Sequence, residues 1–290
     1  MAEQVGTFDK IWISSDDVTY TALEFLDGTT LGAVETFTDS NGIRGTRQHG
    51  VLRVRRTQRM TQGSLQFAPS ATELDALLPW VLGTAENADV FALAETVPAR
   101  YIKTYRDGTK HLYDGLKVNR ATFAFAEGAP LTLTCEVIGV DETTDADSTE
   151  SDTIDDDAGP YVLSDCVLSV GGTNYAFRSG QITVDNRLEV KFNNSVTPSA
   201  IHATDLEVGV SLTLPYGDAS ALYGSTIAGV AGVATFTNGN RSLALTCSGV
   251  STPKTPLPLG GRRARDLTWQ GVARRTGSTA PIGVVNDSSG

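Results

Sequence analysis

Histidine and cysteine are the residues of this chain best suited to nucleophilic or metal chemistry. There are three of each: His49, His111 and His202, and Cys135, Cys166 and Cys247. None stands in an HExxH, HxH or CxxC spacing, and the chain has no GxSxG elbow, P-loop or GxGxxG turn. The sequence therefore predicts no catalytic residue, cofactor site or metal site. The three cysteines are expected to be reduced and packed in the core.

An acidic run from 141 to 157 contains nine carboxylates and no basic residue. Its candidate loop residues are Asp145, Asp147, Glu150, Asp152, Asp155, Asp156 and Asp157. Calcium is one interpretation, but the glycine and closing glutamate of an EF-hand loop are not in place. Dense charge without apolar residues favours a solvated linker or surface loop instead. The sequence thus predicts an acidic linker over 141–160.

Arginine outnumbers lysine 17 to 6 and is concentrated in one Gly-rich stretch. Its members are Arg44, Arg47, Arg53, Arg55, Arg56 and Arg59. Guanidinium groups pair with carboxylates in a bidentate fashion and are common at interfaces. Basic and acidic stretches in one chain suggest contacts between copies, although scattered surface charge is an equally weighted alternative. DNA binding by this stretch is disfavoured because the net charge is −11 and no aromatic residues interleave to stack on bases.

The sequence pattern predicts that the secondary structure carrying these residues is mainly β. Residues 206–214 alternate apolar with polar or small side chains, the period of a half-buried strand. The high glycine content, 29 of 290 residues, fits the same class. One helix is predicted after Pro69, because Ser70 and Glu73 form a capping box before leucines at helical spacing. A shorter counterpart is predicted at 218–223.

Short motifs recur in the same order in the two halves, which suggests a duplication. Leu131–Cys135 resembles Leu243–Cys247, and 63–69 resembles 209–215. The spacing between these motifs predicts about 34 extra residues in the first half, between 84 and 120. We therefore expect two tandem β-sandwich or barrel domains, each with a short helix packed against it. Their predicted bounds are 1–140 and 161–275, followed by a C-terminal arm at 276–290.

Two further features bear on location. No stretch approaches the roughly 20 apolar residues that a membrane span requires. The first residues show no secretory pattern of basic and apolar segments. Loops such as 38–50 and the proline-containing 251–261 are poor at forming a core and are expected to order against a partner. These features predict a subunit of a larger assembly without a membrane span.

Five runs of the sequence are similar to those of a known family: 42–47, 61–69, 70–83, 182–188 and 194–198. The first is Gly-Ile-Arg-Gly-Thr-Arg, and the second is Thr-Gln-Gly-Ser-Leu-Gln-Phe-Ala-Pro. In these runs the chain resembles the tail tube proteins (major tail proteins) of long-tailed phages, of the type with a duplicated domain. Most of the chain is covered; the acidic linker and residues 276–290 are outside.

The resemblance implies a structural, non-enzymatic virion protein. Such proteins form rings that stack into the tail tube, the conduit for genome delivery into the host, and are assembled in the host cytoplasm. Duplicated-domain members imply a trimer with pseudo-sixfold symmetry rather than a hexamer. The partners would be other copies of the chain and other tail proteins, with DNA only as transient, non-specific cargo in the lumen. The arginine stretch would then contribute to contacts between rings.

Other classes remain as alternatives. A tail terminator or head decoration protein would share the virion and the β fold but would not stack indefinitely. A carbohydrate-binding β protein would need a cluster of exposed aromatics, whereas the three tryptophans are scattered. A β-rich hydrolase would need paired carboxylates on opposing strands, and nearly all close carboxylate pairs lie in the acidic linker.

Overall fold

The computed structural model describes residues 9–39, 53–106, 108–145, 150, 153–154, 159–217, 222, 229–253 and 266–289. The protein is mainly β, as predicted. Its strands are β1 Lys10–Ser14, β2 Thr21–Leu23, β3 Thr30–Asp39, β4 Val54–Phe67, β5 Val90–Ala92, β6 Arg100–Arg106, β7 Thr109–Ala126, β8 Thr132–Gly139, β9 Asp141–Asp145, β10 Cys166–Val170, β11 Thr173–Tyr175, β12 Ser179–Asp185, β13 Leu188–Lys191, β14 Ala200–Ala203, β15 Glu207–Pro215, β16 Val230–Asn238, β17 Arg241–Val250, β18 Asp266–Ala273 and β19 Ile282–Asp287. Helix α1 is Ala71–Leu82.

The strands form three antiparallel sheets and a separate β13–β14 hairpin. The central sheet has the order β3-β4-β8-β7-β12-β15-β18. The first outer sheet has the order β2-β1-β6-β7-β9, and the second outer sheet has the order β11-β10-β16-β17-β19-β5. Strand β7 is shared because it bends: Gly115 has φ 65° and a bulge follows between Val118 and Arg120. Its first part therefore lies in an outer sheet and its second part in the central sheet.

Each outer sheet packs on the central sheet through alternating apolar side chains, since one face of every strand is turned inward. The ring of Phe125 on β7 meets that of Phe236 on β16 edge to face, with centroids 5.3 Å apart. On the other side, Leu65 on β4 and Ile102 on β6 are fully buried. The buried residues form one continuous cluster that includes both halves of the chain.

Helix α1 begins and ends where the sequence predicts. The Ser70 hydroxyl accepts a hydrogen bond from the Glu73 backbone N–H, and the Glu73 carboxylate accepts one from the Ser70 N–H. Gly83 ends the helix in the left-handed region at φ 97°. The Trp80 indole N–H donates to the Leu116 carbonyl at 3.0 Å, which ties the helix to β7. Most of the helix counterpart predicted at 218–223 lies outside the described residues.

Six strand pairings of the first half recur in the second half, the arrangement expected from a duplication. In the first half β1 pairs with β2 and β6, β7 with β6 and β9, and β4 with β3 and β8. In the second half β10 pairs with β11 and β16, β17 with β16 and β19, and β15 with β12 and β18. The two copies join in the central sheet, where β7 of the first pairs with β12 of the second.

The strand pairings match strands of the first half to strands of the second half differently from the sequence motifs. By its pairing, β8 corresponds to β18, whereas the motif of β8 was matched to a segment of β17. The reason is that alternating leucines occur in any half-buried strand and do not specify which strand it is. The range expected to contain the insertion, 84–120, includes β6 and part of β7, which have counterparts in β16 and β17. A length difference is found before β6, because 32 residues separate Phe67 from Arg100 and 14 separate Pro215 from Val230.

The segment expected as a C-terminal arm also contributes to the fold. Strand β19 lies between β17 and β5, and its Ile282 and Val284 side chains are fully buried. The Asn286 side-chain amide donates to the Ala71 carbonyl and the Asp75 carboxylate of α1. Residues 276–290 contain few apolar side chains, but Ile282 and Val284 are two positions apart and so lie on the same, core-facing side of a strand. This spacing is sufficient for β19 to pair within the sheet.

Close approach of β3 and β4 depends on a glycine. A Cβ at Gly63 would lie 2.0 Å from the Thr30 carbonyl oxygen and 2.7 Å from the Leu31 Cα, both backbone atoms. We expect Gly63→Ala to lower the free energy of unfolding by about 1–3 kcal/mol, because the strands must separate. The matched control is Gly32→Ala on the facing strand, where a Cβ meets nothing within 4 Å. Urea denaturation of both variants checks this; equal stabilities would contradict it.

Candidate assembly surface

The most prominent surface feature is an arm formed by the outer parts of β3 and β4. Strand β8 pairs with β4 only from Thr61 onward, so the preceding residues of β4 pair with β3 alone. Residues 33–38 and 53–58 are all exposed, and the exposed residues include the large apolar side chains of Phe37 and Val54. A two-stranded ribbon with no covered face gains little from burial. The arm therefore has the character of an interaction surface.

The structure divides the arginine stretch into different environments. Arg44 and Arg47 lie outside the described residues. Arg53 directly precedes β4, and Arg55 and Arg56 are exposed on the arm. The Arg56 Nη1 atom lies 2.7 Å from the Glu35 carboxylate, across the two strands of the arm. The guanidinium groups of Arg55 and Arg56 thus reach solvent on the described part of the arm.

Arg59 differs from the other arginines because it is engaged inside the subunit. Its Nε lies 3.1 Å from the Asp141 carboxylate, and its Nη2 donates to the Glu142 carbonyl at 2.6 Å. Its backbone N–H donates to the Val196 carbonyl at 2.7 Å, in the loop between β13 and β14 of the second copy. Within the subunit, Arg59 thus ties the base of the arm to β9 and to the loop between β13 and β14.

The acidic segment is anchored in part. Residues 141–145 form β9, paired with β7, and Asp145 ends that strand. The Glu150 carboxylate lies 2.8 Å from Lys103 Nζ and 2.7 Å from Lys110 Nζ, and its side chain is only 2% exposed. The predicted residues Asp147, Asp152, Asp155, Asp156 and Asp157 lie outside the described residues. A solvated linker was expected throughout, but two lysines on adjacent strands provide a partner for this carboxylate.

The solvent face of the central sheet is polar and carries no aromatic side chain on β12, β15 or β18. Along β12, β15 and β18 it presents Gln181, Thr183, Asp185, Glu207, Gly209, Ser211, Thr268 and Gln270. Its charges occur in pairs: Arg120 lies 2.8 Å from Asp185, and Arg178 lies 3.2 Å from Asp266. The hydrogen bond that the Arg120 guanidinium donates to the Asp185 carboxylate raises the pKa of Arg120. This face therefore offers hydroxyls and amides with few unpaired cations.

The residues considered for chemistry are placed in structural roles. His111 lies on β7 with its Nδ1 3.0 Å from the Glu142 carboxylate, His202 is exposed on β14, and His49 lies outside the described residues. Burial raises the pKa of each of the three cysteine thiols to about 12, which disfavours a reactive thiolate. In the part of the chain that the structure describes, no group of three or more His, Cys, Asp or Glu could hold a metal ion.

An open groove of about 840 Å³ lies at the junction of the two copies. It is lined by residues 127–130, 162–164, 166–168 and 175–177, and its surface is mostly apolar. The groove brings no acid–base pair together. Within the described ranges, no helix is both long and apolar enough to cross a membrane.

These observations describe a mainly β protein of the β-sandwich class whose distinctive surfaces, among the described residues, are an arm and a polar sheet face. The chain matches the family model described as phage tail tube protein over residues 6–273. It therefore belongs to the phage tail tube protein family and is a structural protein of the phage tail, as the sequence predicted. No curated protein matches it significantly. Membership implies assembly with further copies and with other tail proteins.

Sequence reasoning missed two features of this surface. The pairing of β7 with β12 was not predicted, and neither were the internal partners of Glu142 and Glu150. For the pairing of β7 with β12, Gly115 was a usable signal in the sequence, because a glycine inside a strand often marks a change of direction. No local signal marks the carboxylate partners, since Lys103 and Lys110 are more than 39 residues away in sequence.

Proposed function

We propose that three copies of this chain form a ring in which six β-sandwich copies surround a lumen, and that such rings stack into the tail tube. The observation that carries this is the antiparallel junction of β7 and β12, in register from Arg120↔Asp185 to Ala126↔Ser179. It joins one copy to the next within a continuous sheet. The same junction repeated between subunits would continue the sheet around a ring, and three duplicated chains supply six copies.

The polar face of the central sheet would line the lumen. Hydroxyl and amide side chains give DNA no aromatic surface on which to stack, and the paired arginines leave few free cations for phosphates. DNA would pass as transient, non-specific cargo. Arg120 is shared by Asp185 and Glu136, and Arg187 by Asp205 and Glu207. Each group therefore keeps a net negative charge, which repels the phosphates.

The arm would reach the adjacent ring. Arg55 and Arg56 are exposed on it, together with Phe37 and Val54, so the arm combines charge with apolar surface. Exposed arginines and aromatics are enriched at protein interfaces. Acidic groups on the neighbouring ring are the expected counterpart. Rings would assemble in the host cytoplasm, together with the other tail proteins, before DNA enters the lumen.

Electron microscopy of the purified protein at high concentration tests this function. We expect hollow tubes or six-lobed rings, and the native mass of one ring should equal three chains. Discs that never stack would instead indicate a tail terminator or a head decoration protein. A six-chain ring mass would contradict the trimer, and monomeric particles at all concentrations, with or without other tail proteins, would contradict ring assembly itself.

A further inference from the structure

The outer edge of β3 is a free edge of the central sheet whose backbone groups are nevertheless bonded. The Leu31 carbonyl accepts a hydrogen bond from Arg106 Nη2 at 2.9 Å, and the Ala33 N–H donates to the Glu142 carboxylate at 2.7 Å. Leu31 and Ala33 are two residues apart, so these groups point to the same side of the strand. Among the described residues, β3 pairs with β4 only. Side chains therefore take the place of a further strand.

Glu142 is held in position by groups from three strands. Its Oε1 lies 3.0 Å from His111 Nδ1 and 3.4 Å from the Tyr113 hydroxyl, both on β7. Its carbonyl accepts from Arg59 Nη2 on β4. The other carboxylate oxygen, Oε2, is directed at Ala33. A charged acceptor with this support makes a stronger bond to an amide than a neutral group does.

The second copy shows what this edge does when it has a partner. Strand β12 is the counterpart of β3, and Ile182 corresponds to Leu31, since they oppose Val210 and Gly63, two residues before the buried Leu212 and Leu65. On β12 this position is paired with Phe123 of β7. Within the described residues, no side chain is hydrogen-bonded to the backbone of Ile182. Capping by side chains is thus confined to the copy whose edge is free.

We propose that the outer edge of β3 at residues 31–33 is a strand-addition surface for a second copy of this chain, and that Glu142 and Arg106 cap it in the free subunit. The inference rests on the proposed ring. The argument for a second copy is the internal junction, where β7 covers the counterpart edge on β12. Strand addition would replace the two side-chain bonds with a backbone ladder. Such caps limit unplanned pairing of an open edge.

Amide hydrogen exchange of the unassembled protein tests the cap. In Glu142→Ala, the Ala33 amide should exchange at least about tenfold faster than in the wild type, because a bond to a charged acceptor is lost. The control is Glu95→Ala, which removes an exposed loop carboxylate and should leave the rate unchanged. An unchanged rate at Ala33 in Glu142→Ala would overturn the cap.

Assembly of an edge variant tests the docking surface. Ala33→Pro removes the outward N–H but no bond of the β3–β4 ladder, so the subunit should fold with a thermal midpoint close to that of the wild type. We expect it to form no rings, whereas Glu142→Ala should form rings with a shorter lag. Normal rings from Ala33→Pro would overturn the docking surface and leave the proposed ring intact. Absence of rings from the wild-type chain would instead refute the ring itself.

If Ala33→Pro fails to fold, Ala33→Glu provides the second variant. Its carboxylate would add a charge to the exposed edge strand, and charged side chains on an edge strand disfavour the addition of a further strand. The Ala33 side chain is exposed, so the subunit itself tolerates the change. We expect ring formation to require at least about tenfold higher protein concentration. Ring formation at the wild-type concentration would overturn the proposal.

Discussion

Reversing the charge of the arm should abolish tube growth while single rings remain. In Arg55→Glu/Arg56→Glu, two exposed guanidinium groups become carboxylates on the surface proposed to meet the next ring. Arg56 also loses its pairing with Glu35 at 2.7 Å, so the arm would gain a repulsive pair on its own strands. Placing like charges across an interface costs several kcal/mol, and this loss is repeated at every subunit of a ring. We expect rings and free subunits in electron micrographs, with tubes reduced at least about a hundredfold.

A matched control distinguishes the effect of charge reversal on the arm from the effect of a change in net charge alone. Arg274 and Arg275 are also adjacent, exposed arginines, at the end of β18 and away from the arm. Arg274→Glu/Arg275→Glu makes the same change in net charge and should leave tube length unchanged. Both variants should keep the thermal midpoint of the wild type, because exposed charges contribute little to stability. Tubes of normal length from the arm variant would refute a role for Arg55 and Arg56 in stacking.

Removing the carboxylate of Glu150 should strongly destabilise the first copy. Lys103 is 9% exposed and Lys110 is 24% exposed, and the carboxylate lies within 2.8 Å of both amino groups. In Glu150→Ala the Lys103 charge remains buried between strands without this partner. Breaking a buried ion pair by deleting one member costs about 3–5 kcal/mol. We expect a loss of about 3 kcal/mol in urea denaturation, since Lys110 can still reach solvent.

Two comparisons define the role of Glu150. Glu95→Ala removes an exposed carboxylate and should change the free energy of unfolding by less than about 0.5 kcal/mol. The double variant Lys103→Met/Glu150→Ala removes the buried charge as well as its partner, and should recover part of the loss. Stability of Glu150→Ala equal to that of Glu95→Ala would mean that the Glu150 carboxylate contributes nothing to the fold, and that within the acidic segment only β9, paired with β7, contributes.

The sequence alone determined the features that depend on near neighbours. Alternating side chains predicted the mainly β class, and the Ser70–Glu73 capping box located α1, because both patterns depend on residues a few positions apart. The repeated order of short motifs indicated a duplication. The absence of catalytic spacings and the family-like runs at 42–47 and 61–69 pointed to a structural tail protein. That family membership is confirmed over 6–273.

Only the tertiary structure decided which strands meet. The pairing of β7 with β12, the place of β19 in the core and the counterpart of β8 depend on contacts between residues far apart in the chain, which no local pattern encodes. The roles of the charged residues were also decided only by the tertiary structure. Glu142 and Glu150 belong to one acidic run in the sequence, yet one caps Ala33 and the other lies between two lysines. A carboxylate's role depends on which groups the fold places within hydrogen-bonding distance, and that distance is set by the packing of the whole sheet.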